Sequence, residues 1–165
     1  MTNEKKESSR IKGHVIVAPH PDDEIIGNFD VIKNKKPCII YMGDIDNKRR
    51  QEALNLKKYT DIGVQLFLNS VPNDFINKET ILYFPDPYFE THYFHRAVGL
   101  MGEQIARQGF NVIFYNITMT APYMKEVKDW EEKRDLLNKV YPSQKSLWEY
   151  EHKYFMFEGK CKWIF

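Results

Sequence analysis

The residues best equipped for chemistry are collected in Pro19-His20-Pro21-Asp22-Asp23-Glu24, one imidazole and three carboxylates around a proline-stiffened turn. A second pair of imidazoles, His92 and His95, stands at the start of a later helical pattern. A spacing of three puts two side chains on one face, so His20 with Asp23, and His92 with His95, can each converge on a point. Two nitrogens and one carboxylate oxygen are a common donor set for catalytic zinc, with a fourth position left for water. Zinc lowers the pKa of that water to about 7. A spare carboxylate, Asp22, could then take its proton, and a spare histidine could serve the leaving group. The same acids also suit a helix start, where negative charge complements the helix dipole. Spacing alone does not choose between these readings.

The elements that must position these residues follow a strand–helix rhythm. Residues 14–18, His-Val-Ile-Val-Ala, are continuously apolar, as in a strand covered on both faces. Ile25, Phe29 and Ile32 recur at helical spacing and predict a helix over 24–34. A strand over 37–42 ends at Gly43-Asp44. A helix over about 47–61 should bury Ala53, Leu56 and Tyr59 and stop at Gly63, before a strand over 64–68. This alternation predicts a parallel sheet with right-handed crossovers. Residues 69–94 break the rhythm as a long connection carrying Pro72, Pro85, Pro87 and many aromatic rings. In a doubly wound sheet the returning chain passes over the carboxyl ends of the strands, which would bring His92 and His95 to His20 and Asp23.

A third helix should run to about 108 with Val98, Met101 and Ile105 inward and Gly109 as its stop. A strand over 111–115, helices near 125–139 and 143–154, and an edge strand at Lys162–Phe165 complete the reading. His14, at the start of a buried strand, and His152, in a charged helix, read as structural. The expected architecture is one α/β domain over 13–165, a doubly wound, Rossmann-like, mostly parallel sheet with helices on both faces. It is preceded by a flexible polar tail over 1–12.

Composition narrows the function. With 42% hydrophobic and 15% aromatic residues the chain can build a real core, and 24 basic against 23 acidic residues leave a formal charge of +1. That balance offers no footprint for nucleic acid. No apolar run reaches the roughly 18 residues of a membrane span, and the polar first ten residues are not a secretion signal. Cys38 and Cys161, far apart in sequence, read as free thiols, which fits a cytoplasmic protein. No glycine-rich phosphate loop is present, which argues against a dinucleotide site.

Ala18-Pro19-His20-Pro21-Asp22-Asp23-Glu24, with Gly27 three residues on, resembles the AHPDDExxG signature of the PIG-L/LmbE-like de-N-acetylases, with Pro19 between alanine and histidine. Gly43-Asp44 is similar to the family's Gly-Glu after its second strand. Arg49-Arg50-Gln51-Glu52-Ala53 through Ile62-Gly63-Val64 resembles its R-x-x-E-A helix and the Leu-Gly-Val that follows. His92-Tyr93-Phe94-His95-Arg96-Ala97-Val98-Gly99 resembles its H-x-D-H-R-A-x-G segment, and Tyr141-Pro142-Ser143-Gln144 its Y-x-S-Q element. The resemblance spans roughly 14–145. It implies zinc, or another divalent metal, on His20, Asp23 and His95, with Asp22 as general base and His92 polarising or protonating the reacting group. Arg49, or its neighbour Arg50, would contact substrate. The implied reaction is hydrolysis of the N-acetyl group of a small glucosamine-type sugar or conjugate; the aromatic stretch suits a sugar's C–H faces and suits a hydrophobic lid or dimer contact equally. Phe94 stands where the family has an acid. That departure keeps two alternatives in view, a metal-retaining sugar-binding module and an amidase for another small amide. The aromatic C-terminus fits burial in the sheet or in a homo-oligomer contact equally.

Overall fold

The computed structural model describes residues 11–151 and 153–165. Its main sheet has six strands in the order β3-β2-β1-β4-β5-β8, formed by β1 (Gly13–Ala18), β2 (Cys38–Met42), β3 (Gln65–Leu68), β4 (Thr80–Pro85), β5 (Val112–Tyr115) and β8 (Lys160–Cys161). The first five run parallel and β8 is antiparallel to β5. Two short strands, β6 (Lys125–Glu126) and β7 (Phe157–Glu158), pair antiparallel beside it. The chain winds outward from β1 through β2 to β3, then returns to place β4 on the other flank of β1. The switch point therefore lies between β1 and β4, the place where a doubly wound sheet opens a crevice.

The strands read as unbroken apolar runs because both faces are covered. Successive side chains alternate between two cores. Ile16 and Ala18 join Ile39, Tyr41 and Tyr83 beneath α1 (Asp23–Lys35), α2 (Asn47–Leu54) and α4 (Trp130–Val140). Val15 and Val17 join Ile40, Met42, Leu82 and Phe84 beneath α3 (Tyr93–Arg107). Ile25, Phe29 and Ile32 of α1 are buried as their spacing predicts, as are Val98 and Ile105 of α3. Two glycines let α3 lie close on β4. A Cβ on Gly99 would come within 2.5 Å of the Pro85 carbonyl oxygen, and one on Gly102 within 2.5 Å of the Phe84 ring.

Helix α1 bends at Asn28, whose φ of −140° is not helical. The backbone groups around the bend have outside partners. Lys133 Nζ donates to the Ile26 carbonyl at 2.6 Å and Lys160 Nζ to the Gly27 carbonyl at 2.8 Å. The Phe29 N–H donates to Glu158 Oε1 at 2.7 Å. Side chains inserted into the helical ladder are a recognised cause of such kinks.

Several boundaries differ from the sequence expectation. The stretch 69–94 is not one long loop, because β4 lies inside it as a central strand. The helix expected over 47–61 ends at Leu54 and tightens into a 3-10 turn at Asn55–Lys58, with Tyr59 half exposed rather than buried. Gly63 lies beyond that turn and packs against Cys38. Residues 125–126 are strand, with α4 starting at Trp130, and the helix expected over 143–154 is a 3-10 turn at Pro142–Gln144 followed by a π-helical turn at Leu147–Glu151. The closing edge strand is Lys160–Cys161 rather than 162–165. Ile11 is not loose tail: its N–H donates to the Asp74 carbonyl at 3.2 Å, and its own carbonyl accepts from Asn77 and Thr80. Residues 1–10 and His152 lie outside the described residues. Cys38 and Cys161 are unbonded thiols. Among the described residues, no helix is long and apolar enough to cross a membrane.

Candidate metal centre

Strand β1 delivers His20 just past its carboxyl end, and Asp23 opens α1 three residues later. The turn between them is closed from both sides. The His20 N–H donates to Asp23 Oδ2 at 2.9 Å, and the Asp23 N–H donates back to the His20 carbonyl at 3.2 Å. Across the switch point, α3 begins with His92 as its N-cap, Nδ1 accepting the Phe94 N–H at 3.2 Å. His95 lies one turn further in and is buried.

The two segments meet at three atoms. His20 Nδ1 lies 3.2 Å from Asp23 Oδ2, His95 Nε2 lies 3.3 Å from the same oxygen, and the two nitrogens are 3.1 Å apart. Bonds of about 2.0–2.1 Å to a tetrahedral ion would put its donors roughly 3.3–3.4 Å from each other. The triangle therefore has the size of one face of a zinc-type tetrahedron, and this group could hold a metal ion. His20 is the most exposed of the three, its side chain 41% accessible against 5–6% for Asp23 and His95. Without a cation, a proton stabilises the cluster. Burial works against charge on His95, but Asp23 and Glu90 overcome it and raise its pKa to about 10. Burial likewise works to raise Asp23, yet His95 and His20 hold it well below the usual carboxylate range.

The other expected residues surround this triangle. The His92 ring lies 5.2 Å from that of His20 and 4.6 Å from that of His95. Burial and its two imidazole neighbours lower its pKa. Because Nδ1 accepts a backbone N–H, the neutral ring carries its proton on Nε2. Asp22 is buried with φ 109°, and Arg49 Nη2 reaches its Oδ2 at 3.2 Å. Burial and the neighbouring Asp23 raise the Asp22 pKa well above the ordinary value, with Arg49 opposing. Of the two arginines, Arg49 is the one at the site, where it also donates to the Pro21 carbonyl. Arg50 turns away, its guanidinium 5.1 Å above the Phe67 ring and its Nε donating to the Ile45 carbonyl. His14 pairs with the Tyr83 hydroxyl at 2.9 Å, remote from the cluster as expected.

Glu24 supports rather than reacts. Its Oε2 accepts the Asp22 N–H at 2.9 Å, while Oε1 accepts the hydroxyls of Tyr41 and Tyr141. Burial raises its pKa to about 7 against those hydrogen bonds. Phe94, which cannot support an imidazole by hydrogen bonding, places its ring 5.3 Å from His20. There it occupies the space that Gly43, at φ 84°, leaves open. Three participants were not singled out by the sequence reading. Glu90, fully covered, has Oε2 3.4 Å from His95 Nδ1. Glu52 lies 3.9 Å from Arg49 Nε and accepts from the Ser143 N–H and hydroxyl, which ties the 142–144 turn to Arg49. Thr118 lines the cavity and donates to Glu90. Only the glutamate in the R-x-x-E-A segment had a sequence signal.

His20, Asp23 and His95, with Asp22, Arg49, His92 and Thr118, border an open cavity of about 240 Å³, walled further by Ile26, Ile117, Gln144 and Leu147. That is below the roughly 300–1,000 Å³ of sites for drug-sized ligands. A larger cavity of about 390 Å³, between the C-terminal half of α1, α4 and residues 59–61, contains none of the candidate residues. No protein-family model matches this chain, and neither does any curated protein.

Proposed function

We propose that this protein is a zinc-dependent hydrolase that removes the acetyl group from the nitrogen of a small amino sugar or its conjugate. The observation that carries the reading is the His20–Asp23–His95 triangle, with edges of 3.1–3.3 Å, opening on a cavity shared with Asp22, His92 and Arg49. A zinc ion there would polarise the acetyl carbonyl and bring the pKa of a bound water to about 7. Asp22, a carboxylate paired with Arg49 and made more basic by burial, accepts the proton of the attacking water. It then returns that proton to the amide nitrogen as the C–N bond breaks, leaving acetate and a free amine. His92, neutral with hydrogen on Nε2, offers that N–H to the carbonyl oxygen as negative charge develops, an electrostatic role that does not require an imidazolium. Arg49 holds the Asp22 carboxylate in place and lines the cavity beside it.

The PIG-L/LmbE-like motifs support this reading and suggest the N-acetylglucosamine class. The cavity's size suits one sugar ring or a smaller amide, so the substrate panel should include simple N-acetyl amines. The test is metal analysis of protein purified without chelator, followed by acetate release from N-acetylglucosamine and its conjugates. Zinc near one per chain, turnover lost in His95→Ala, and a roughly 10²–10⁴-fold lower kcat in Asp22→Asn are expected. Protein that binds no divalent metal would overturn the reading. Zinc-loaded protein that binds sugar but releases no acetate would convert it into a binding module.

A further inference from the structure

We propose that Glu90 is a positioning residue of the metal centre, holding the Nδ1–H of His95 so that Nε2 presents its lone pair to the His20–Asp23 corner. The inference rests on the metal reading above. Glu90 Oε2 lies 3.4 Å from His95 Nδ1, and His95 Nε2 is the atom in the donor triangle. An imidazole carries one N–H when neutral, so whichever nitrogen meets a fixed acceptor leaves the other free to ligate.

The surroundings of Glu90 make the assignment specific. Its carboxylate is fully covered, with Oε1 accepting the Ile117 N–H and Oε2 the Thr118 hydroxyl at 2.8 Å. A buried carboxylate is costly unless its charge is answered. A glutamine in the same place could serve both of those partners, since its carbonyl accepts an N–H and a hydroxyl can either donate or accept. Only His95 separates a carboxylate from an amide here. Position 94, between the paired histidines, holds a phenylalanine, and the carboxylate that meets His95 Nδ1 comes from the loop before α3. The same carboxylate fixes Ile117 and Thr118, two residues of the cavity wall, so one group sets both the ligand and part of the pocket.

Glu90→Gln tests this directly. The amide Nε2 would face His95 Nδ1 as a donor and favour the wrong tautomer. Zinc affinity, measured by competition with a chromophoric chelator, is expected to fall about 10–100-fold while metal-free thermal unfolding stays cooperative. Glu90→Asp should recover part of the loss. An affinity within about threefold of wild type in folded Glu90→Gln, against that range, would overturn the proposal. If the variant does not fold, the zinc-loaded wild type decides the matter by nitrogen NMR. Hydrogen on His95 Nδ1 supports the assignment, and hydrogen on Nε2 refutes it. Failure of the wild type to bind zinc would instead remove the functional reading itself, so the two failures are distinguishable.

Discussion

Asp22 sits in a backbone conformation that L-residues avoid, with φ 109° and ψ −30°. Such strain costs about 1–3 kcal/mol and persists only where the surroundings over-determine it. Here Glu24 does so, gripping the Asp22 N–H while two tyrosine hydroxyls grip Glu24. Asp22→Gly is therefore expected to raise stability by about 1 kcal/mol in denaturant unfolding, while acetate release is lost. A second expectation concerns protons. Ligands must be deprotonated to bind metal, and His95 in the metal-free protein is held protonated by Asp23 and Glu90. Zinc binding near pH 7 should thus release protons, roughly one from His95, read by calorimetry in buffers of different ionisation enthalpy. Affinity should weaken as pH falls. At this scale the sequence was informative wherever partners share a turn: His20 with Asp23, and His92 with His95. Glu90 escaped because its partners, Ile117 and Thr118, are distant in sequence, and because five residues before His95 is no fixed geometry in a loop.

The elements that present these residues depend on close backbone approach and on a repaired kink. Gly99 lies where α3 crosses the end of β4, and an added Cβ would come within 2.5 Å of the Pro85 carbonyl oxygen and 2.8 Å of the Pro87 nitrogen. Gly99→Ala must push α3 outward, carrying His95 away from Asp23. Expected are a loss of about 1–3 kcal/mol in stability and weaker zinc binding, even though residue 99 touches no ligand. At the α1 kink, Lys133 is fully buried and pairs with Glu158 at 2.9 Å. Burial pushes both groups toward neutrality, Lys133 down to about 8 and Glu158 upward. Lys133→Met would leave the Ile26 carbonyl without this donor and Glu158 with only Lys160, at 3.8 Å, to answer its charge, costing about 3 kcal/mol at pH 7. Between the folded value of about 8 and the ordinary 10.5 the unfolded chain holds a proton that the folded one has lost. Wild-type stability should therefore climb relative to the variant as pH rises through that window, by up to roughly 3 kcal/mol. β4 was the element least legible in sequence. Thr-Ile-Leu-Tyr-Phe-Pro is buried on both faces, so no alternation marks it, and Pro85 with its aromatic neighbours suggests a loop. Pro85 is tolerated because it is the last strand residue, and Asp86 supplies the next N–H, to the Tyr115 carbonyl at 2.7 Å.

For the whole molecule, the winding order matters more than any element boundary. The strand–helix alternation made the doubly wound sheet readable, and its reversal between β1 and β4 brings residues 72–75 positions apart in sequence into one cluster. The order also leaves the sheet with two unlike borders. On the β3 side a four-residue strand presents its outer backbone groups, while on the β5 side two residues of β8 cover Phe114 and Tyr115. Beyond β8, Trp163 donates to the buried Asp86 at 3.2 Å, and Asp86 also receives the N–H groups of Tyr88 and Phe89. The final residues thus act as a hem: they finish one margin of the sheet and stitch down the segment leading to Glu90. A chain cut after Gly159 would expose the β5 backbone to strands of its neighbours, and light scattering should register larger species than the intact chain gives.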